Sequence, residues 1–292
     1  MGRIFVLGNA SIDTTLRVPR LPAPGETLMA SGVLRSAGGK GLNQAVIAAR
    51  CGVAVRFCAA LGVEPEARLI RDALAAEGLE SVSLLNVGAP TDISTLLVDG
   101  AGENCIISTG ACADGLTTEA ALEFIAGMDE DDLLLMQGNL TEAVTVAAAQ
   151  AAPGRVMLNT APLRWDYARV LPVCDVVVAN RLEAWEITGL GGADAAVALR
   201  IGGGVGIVTL GGQGCVVADS DPVVVSPVAV DAVDTTGAGD VFCGVLAAGL
   251  ARARDVMDAV GWAQRAAALS ATREGCFGSF PSPSELAHLL NG

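Results

Sequence analysis

Two kinds of segment alternate along this chain, and that order constrains its fold most. Short runs of β-branched and aliphatic residues alternate with longer alanine-rich stretches. Strand–helix–strand order predicts an α/β fold with a mostly parallel sheet covered by helices on both faces. The predicted strands are Ile4–Leu7, Val53–Cys58, Leu133–Met136, Val156–Asn159, Val176–Ala179 and Gly206–Leu210. The predicted helices are Gly41–Cys51, Pro65–Glu77, Thr118–Gly127, Glu142–Ala151, Ala193–Ile201, Gly239–Arg252, Val256–Arg273 and Pro283–Leu289.

Two further segments, about residues 11–36 and 91–109, alternate apolar and polar residues, which is typical of half-buried strands. Both follow predicted core strands at the end of the sheet where ligands bind in such folds. We therefore interpret them as a small β-sheet lid on a single domain spanning residues 1–292; the alternative is a pair of surface hairpins. The predicted lid strands are Asp13–Val18, Glu26–Leu34, Asp92–Val98 and Asn104–Ser108, the last two joined by a turn at residues 99–102.

Charge and cysteine usage exclude several functions. The chain has 18 Lys and Arg against 32 Asp and Glu, a net charge of −14, which disfavours binding to nucleic acid or an anionic membrane surface. No apolar stretch reaches the about 20 residues that span a bilayer, so we expect no transmembrane helix. The 8 cysteines form no C-x-x-C pair and indicate buried thiols in a reducing cytoplasm. We also expect no signal peptide, because the N-terminus runs directly into a predicted strand.

The chain has a single histidine, His288, close to its polar C-terminus. We interpret it as a solvated helix-end residue. Ser-His-Asp hydrolysis and a histidine-rich metal site are therefore excluded as hypotheses. Carboxylates, thiols and one amine remain, and no thiol has a histidine partner to activate it.

The amine belongs to Lys40, the only lysine among 18 cationic residues. Lys40 lies in the run Gly38-Gly39-Lys40-Gly41, directly before a predicted helix. Glycines let a backbone approach a ligand, and helix N-termini attract anions, so this run favours an anion site. A codon bias that replaced every other lysine by arginine is the alternative.

A second glycine-containing run, Asp234-Thr235-Thr236-Gly237-Ala238-Gly239-Asp240, precedes an apolar helix. Its main-chain N–H groups can converge into a cradle for an anion. A carboxylate at Asp240 could take a proton from a hydroxyl while the cradle holds the phosphoryl group under attack. Simple stabilisation of the helix dipole by Asp240 is the alternative, but it leaves the glycines at 237 and 239 unexplained.

Two strand ends carry residues suited to a nucleotide. Asn180 and Glu183 follow the strand Val176–Ala179 and suit phosphate and hydrated Mg²⁺. The stretch Thr209–Gly214 contains three glycines that would admit an adenine or ribose; an ordinary glycine hairpin explains it equally well. Neither a Walker A run nor a G-x-G-x-x-G run is present, which disfavours a P-loop or dinucleotide site.

These two runs, in this order, resemble the signatures of the ribokinase-like (PfkB) carbohydrate kinases over nearly the whole chain. The first signature reads Gly38-Gly39-Lys40-Gly41-Leu42-Asn43-Gln44-Ala45, and the second is the run ending at Asp240. The resemblance implies a three-layer αβα fold and ATP- and Mg²⁺-dependent phosphorylation of a sugar hydroxyl, usually a primary one. It also implies a homodimer paired through the lid.

The resemblance implies a role for each matching position. Asp240 would be the base, and the N–H groups of Gly237, Ala238 and Gly239 the anion hole. The sugar would contact Ser11, Asp13, Gly39, Lys40, Asn43 and Asn139. ATP would contact Asn180, Glu183, Thr209, Gly211, Gly214 and Gln264, with Glu183 reaching Mg²⁺ through water. A monovalent cation such as K⁺ would lie near Asp234, Thr236, Ser270, Arg273, Gly275 and Ser279.

Two departures leave the substrate open. Ribokinases proper typically carry Asn where Ser11 stands and a sugar-binding Glu where Asn139 stands. A buried site that hydrogen-bonds a hydroxyl discriminates strongly, so ribose is only one candidate. A nucleoside kinase of the same family is the first alternative, although 3% aromatic residues offer few rings to stack a base. A non-catalytic sugar or nucleotide sensor is the second.

Overall fold

The structure is a computed structural model that describes residues 2–100 and 104–291. The strands are β1 Ile4–Leu7, β2 Ser11–Arg17, β3 Gly32–Gly38, β4 Val55–Ala60, β5 Ser81–Leu85, β6 Asp92–Val98, β7 Asn104–Ser108, β8 Leu133–Gln137, β9 Arg155–Asn159, β10 Val176–Asn180, β11 Val205–Thr209, β12 Cys215–Ala218 and β13 Pro222–Val225. The helices are α1 Lys40–Arg50, α2 Arg68–Ala75, α3 Ala111–Gly115, α4 Thr118–Ile125, α5 Glu142–Ala151, α6 Arg181–Thr188, α7 Gly192–Leu199, α8 Ala238–Ala251, α9 Val256–Ala271 and α10 Pro283–Asn291.

Within the described residues the large sheet has 9 strands in the order β13-β12-β11-β10-β9-β8-β1-β4-β5. Neighbouring strands from β11 to β5 pair parallel, and β12 and β13 extend this sheet antiparallel at one edge. The predicted mostly parallel α/β sheet is confirmed. Parallel pairing brings the carboxyl ends of these strands to one edge, where the site lies.

Helices cover both faces of this sheet because its strands carry apolar side chains on both sides. In β1, Ile4 and Val6 pack into one core with α1, α8 and α9, whereas Phe5 and Leu7 pack into a second core with α4, α5 and α7. All four side chains are fully buried. Such two-sided burial explains the continuous aliphatic runs that the sequence shows at the strands.

The second sheet has 4 strands in the order β3-β2-β6-β7, in which β2 pairs antiparallel with β3 and parallel with β6. The prediction of a strand at Glu26–Leu34 is wrong: the strand is Gly32–Gly38, because pairing of Ser11 with Gly38 and Arg17 with Gly32 sets its register. Part of the turn predicted at residues 99–102 lies outside the described residues.

Some elements have no counterpart in the sequence prediction. These are β5, β12, β13, α3 and α6. The stretch Thr209–Gly214 does join two antiparallel strands, β11 and β12, as its hairpin alternative requires. No helix among the described residues is long and apolar enough to span a membrane.

The prediction that the thiols are buried holds with one exception. Cys105 on β7 is exposed, because one face of the small sheet is open, and the other 7 thiols are buried. Burial raises the pKa of Cys51 and Cys58 to about 12, so these thiols stay protonated. His288 is exposed in the last turn of α10.

Candidate active site

A cavity of about 950 Å³ lies between the carboxyl ends of the parallel strands and the small sheet. Asp13 of β2 and Ser94 of β6 line it from the small sheet. From the side of the large sheet, the cavity is lined by Lys40 and Asn43 of α1 and by Asp240 of α8. The structure therefore brings together both glycine-containing runs that the sequence singles out.

Asp240 lies at the base of this cavity in the first turn of α8 and is only 5% exposed. Asn43 Nδ2 donates to its Oδ2 at 2.9 Å, and Gln44 Nε2 donates to its Oδ1 at 3.0 Å. Lys40 Nζ lies 3.8 Å from the same Oδ1. Two amide donors and a cation thus surround the carboxylate, whose oxygens are the atoms that could accept a proton.

The position of Lys40 depends on the glycine before it. Gly39 has φ 95°, and a Cβ there would lie 2.9 Å from the Cα of Ala10, so only glycine fits. The Asp240 carboxylate raises the pKa of Lys40 against the opposing effect of burial. Lys40 therefore holds its ammonium in a fixed position directed at the cavity. The Lys40 side chain is 36% exposed.

The N-terminus of α8 faces the cavity. No side chain caps it, and its N-cap residue Gly237 has φ 81°. Thr235, Gly237 and Gly239 line the cavity, while the N–H of Ala238 donates to the carbonyl of Thr235 at 3.2 Å. A helix N-terminus without a cap offers its first N–H groups to a bound anion.

Gly237 cannot be replaced without strain. We expect Gly237→Ala to lower stability by about 1–3 kcal/mol, because its Cβ would lie 2.7 Å from Cys276 Sγ at a positive φ. Gly239→Ala is the matched control: its Cβ meets nothing within 4 Å, so its melting temperature should stay near that of the wild type. Thermal unfolding of the two variants checks this, and equal melting temperatures would contradict it.

Polar side chains of the small sheet form a chain of hydrogen bonds, in which Asp13, Ser94 and Ser108 line the cavity but Ser11, a predicted sugar contact, does not. Ser11 Oγ donates to Asp13 Oδ1 at 2.9 Å, and Ser108 Oγ donates to Ser94 Oγ at 2.9 Å. Ser11 and Ser94 hydroxyls lie 3.4 Å apart. Burial and the Asp240 charge raise the pKa of Asp13 to about 6, although the Ser11 hydrogen bond opposes them.

This pKa gives a pH prediction for binding of a hydroxylated ligand. Below pH about 6 Asp13 carries a proton and loses acceptor capacity, so the Kd of a sugar should rise as pH falls through 6. Calorimetric titration between pH 5 and 8 measures this. Asp13→Asn, which resembles the protonated carboxyl, should show at every pH a Kd near that of the wild type at pH 5; a flat wild-type profile would refute the role of Asp13.

Asn139, just after β8, also lines the cavity. Its Oδ1 is buried without a hydrogen-bond partner among the described residues. The neighbouring Arg164 is held by Asp114 at 2.8 Å and donates to the main-chain carbonyl of Asn139. An unpaired buried acceptor costs free energy, so this oxygen is suited to accept a hydrogen bond from a ligand.

A second cavity, of about 790 Å³, adjoins the first. Thr209, Gly211, Gly214 and Gln264 line it, as do exposed apolar residues such as Val228 and Val230. Three residues line both cavities: Asn180, Thr235 and Gly239. The two spaces therefore meet at the N-terminus of α8, beside Asp240.

Asn180 and Glu183 form a capping box at the start of α6. Glu183 Oε2 accepts from the main-chain N–H of Asn180 at 3.0 Å and from Thr160 Oγ1 at 2.8 Å, and Asn180 Oδ1 accepts from the N–H of Glu183. No cluster of three metal-ligating side chains exists in the described part of the chain. A hydrated Mg²⁺ fits this arrangement, because it keeps several waters and needs few carboxylates.

The residues predicted near a monovalent cation fall into two groups. Asp234 accepts from the N–H of Thr236 at 2.9 Å and from the N–H of Gly275 at 3.0 Å, which ties two segments together. Ser270 and Ser279 hydroxyls lie 3.1 Å apart and are fully buried. Arg273 instead forms an ion pair with Glu285, so its side chain would not hold a cation.

Three amides beneath the cavity are not among the site residues predicted from the sequence: Gln44, Gln137 and Asn159. They are linked to one another by hydrogen bonds and reach Asp240. The available signal was Asn43-Gln44, two adjacent amides in an otherwise apolar stretch of α1, since buried polar groups need partners. Cys276, 3.5 Å from Asn43 Nδ2, was also missed.

Comparison with known proteins identifies the family. A model described as "pfkB family carbohydrate kinase" matches residues 1–283. The chain is 31% identical to a ribokinase of Haemophilus influenzae, with 98% of each chain covered, and 29% identical to a ribokinase of Bacillus subtilis, with both chains fully covered.

Solved structures agree with this assignment. Ribokinase from Thermotoga maritima matches with a TM-score of 0.89 at 28% identity, and Arabidopsis thaliana ribokinase, solved with ribose and ATP, with a TM-score of 0.85 at 26% identity. Both alignments cover 100% of each chain. The ribokinase-like fold predicted from the two signatures is confirmed, and the chain belongs to the pfkB family of carbohydrate kinases.

Proposed function

We propose that this carbohydrate kinase transfers the terminal phosphoryl group of ATP to a primary hydroxyl of a pentose, with ribose as the first candidate. The meeting of two cavities at Asn180, Thr235 and Gly239, beside the buried Asp240, carries the proposal. One cavity presents acceptors for sugar hydroxyls and the other presents glycines and apolar side chains. Relatives named ribokinases, one of them solved with ribose and ATP, support the substrate pair.

In this proposal Asp240 accepts the proton of the attacking hydroxyl. The hydroxyl oxygen then bonds to the terminal phosphorus, the bond from phosphorus to the bridging oxygen breaks, and ADP leaves with that electron pair. Lys40 and the N–H groups of Gly237 and Gly239 stabilise charge on the transferred group. Positioning and charge supply most of the rate enhancement in phosphoryl transfer.

At the acceptor end, Asp13 accepts hydrogen bonds from the sugar, and so does Asn43 through its Oδ1, which is buried without a partner among the described residues. Asn139 adds a neutral contact beside them, and Ser11, which does not line the cavity, acts through its hydrogen bond to Asp13. Each contact is to a hydroxyl that the cavity must desolvate, so a sugar lacking that hydroxyl is disfavoured.

We propose that the site also binds two metal ions, a divalent and a monovalent one. Mg²⁺ would be held through water near Glu183 and would neutralise phosphate charge when bound. A monovalent cation such as K⁺ would lie beside the segments that Asp234 joins. The side chains of Asp234, Ser270 and Ser279 already have hydrogen-bond partners, so main-chain oxygens of these segments would be its ligands.

The small sheet would act as a lid and as a dimer interface. Its face opposite the cavity carries Val33 and Ile107, which are 67% and 69% exposed. Pairing of two small sheets would bury these side chains, and exposed apolar patches often mark such protein–protein interfaces. Light scattering coupled to gel filtration tests whether the chain forms this homodimer. We propose that the enzyme acts in the cytoplasm.

A substrate panel tests the proposed function. ADP release is measured with ATP, Mg²⁺ and a series of pentoses, hexoses, ketoses and ribonucleosides. Turnover with a pentose supports the proposal. Turnover with nucleosides alone would assign the chain as a nucleoside kinase. Ligand-dependent thermal stabilisation without any ADP release would instead assign it as a sensor.

A further inference from the structure

Three buried amides lie beneath Asp240, outside the lining of the cavity. Gln44 and Gln137 are 0% exposed and Asn159 is 7% exposed. They come from α1, β8 and β9, and Gln137 pairs with Asn159 in the register of the sheet. None of them lines either cavity. Their contacts with a ligand are therefore indirect.

The hydrogen bonds fix the orientation of Gln44. Its Nε2 donates to Asp240 Oδ1 at 3.0 Å and to Asn159 Oδ1 at 3.2 Å, and its Oε1 accepts from Gln137 Nε2 at 2.9 Å. Rotating the amide by 180° would direct its oxygen at the carboxylate and its N–H groups at another donor. The amide can therefore only donate to Asp240.

The far side of this network is anchored in the large sheet. Asn159 Nδ2 donates to the main-chain carbonyl of Val178 on β10 at 3.2 Å, so its oxygen must face Gln44. Gln137 directs its Nε2 at Gln44 and leaves its own Oε1 buried without a partner among the described residues. Leaving the Gln137 oxygen unpaired costs free energy. The Gln137 amide nevertheless keeps the orientation in which its Nε2 donates to Gln44.

Resting on the proposed function, we infer that Gln44, held by Gln137 and Asn159, is a positioning residue that aims the Asp240 carboxylate at the attacking hydroxyl. Asn43 holds Oδ2 from the cavity side and Gln44 holds Oδ1 from the protein interior. The two amides together fix the plane of the carboxylate. A base held in one orientation reaches the hydroxyl proton without reorganisation.

The test compares Gln44→Met with the wild type. Gln44→Met keeps the unbranched shape but removes the donor, so kcat should fall about 10- to 100-fold, the equivalent of one lost hydrogen bond to a charge. The KM values for sugar and ATP should stay within about twofold, because Gln44 does not line the cavities. Gln137→Met should lower kcat less, since the bond from Gln44 to Asp240 survives.

A pH profile separates positioning from a purely structural role. Without the donor the ionised carboxylate is less stabilised, so the acidic limb of kcat should move to higher pH in Gln44→Met. Gln44→Glu, which places a second carboxyl against Asp240, should move it further. The ionisable groups that also face Asp240 are Lys40 of α1, Asp13 of β2 and the thiols of Cys243 and Cys276, and all are unchanged in these variants.

Thr145→Val is the matched control. Thr145 is fully buried on α5 and donates to the carbonyl of Thr141, so its loss should lower stability without changing the pH profile. An unchanged kcat and acidic limb in folded Gln44→Met would overturn the inference. Should that variant fail to fold, an unchanged profile in both Gln44→Glu and Gln137→Met would do so. Absence of kinase activity in the wild type would instead count against the proposed function.

Discussion

Replacing Asp240 by asparagine should lower kcat about 10²- to 10⁴-fold, the usual contribution of a general base. The amide has almost the same shape but cannot take the hydroxyl proton. It can still accept from Asn43, although its own N–H₂ then faces Gln44 Nε2, a donor. We therefore expect a folded protein with a modest loss of stability, about 1–3 kcal/mol.

Steady-state ADP release and thermal unfolding measure these two effects. Asp258→Asn is the matched control, because Asp258 also lies in the first turn of a helix, α9, but is exposed and outside both cavities. Its kcat should equal that of the wild type. Near-full activity in Asp240→Asn would end the assignment of Asp240 as the base.

Lys40→Met should lower kcat about 10²- to 10³-fold, the range found when one donor to a developing charge is removed. The ammonium is compact and lies 3.8 Å from Asp240 Oδ1. Lys40→Arg keeps the charge but replaces a point charge with a larger planar group, so it should recover only part of the rate. Near wild-type kcat in Lys40→Met would contradict this role.

Chemical labelling offers a second measurement of Lys40. It is the only lysine of the chain, so an amine reagent can modify only Lys40 and the N-terminal amine. Because Asp240 raises the pKa of Lys40, labelling should be slow near neutral pH and faster in Asp240→Asn. ATP and sugar together should protect Lys40, which peptide mass spectrometry detects.

Local sequence patterns were sufficient for the parts of the fold that depend on local chemistry. The parallel strands, the helix after Lys40 and the helix after Gly237 all follow from periodicity and glycine positions. The strand Gly32–Gly38 did not follow, because the alternation fits more than one register there. Its register is set by pairing with the strand Ser11–Arg17, and this long-range information cannot be read from the strand's own residues.

The same limit applies to the candidate site. Asp240, Lys40 and Asn43 each stand in a recognisable run, so they could be named from the sequence. Gln137 could not, because its bond to Gln44 joins residues 93 positions apart on different elements. The contact between Asn43 and Asp240 spans 197 positions and became visible only in the folded chain.

Only Gly39 separates the end of β3 at Gly38 from the start of α1 at Lys40. The small sheet and the only lysine of the chain are thus joined through a single residue. Any tilt of that sheet away from the cavity would carry the cation out of line with the phosphoryl group. In the proposed reaction, the position of the small sheet over a bound sugar would therefore also set the position of Lys40, and this coupling would limit phosphoryl transfer to water.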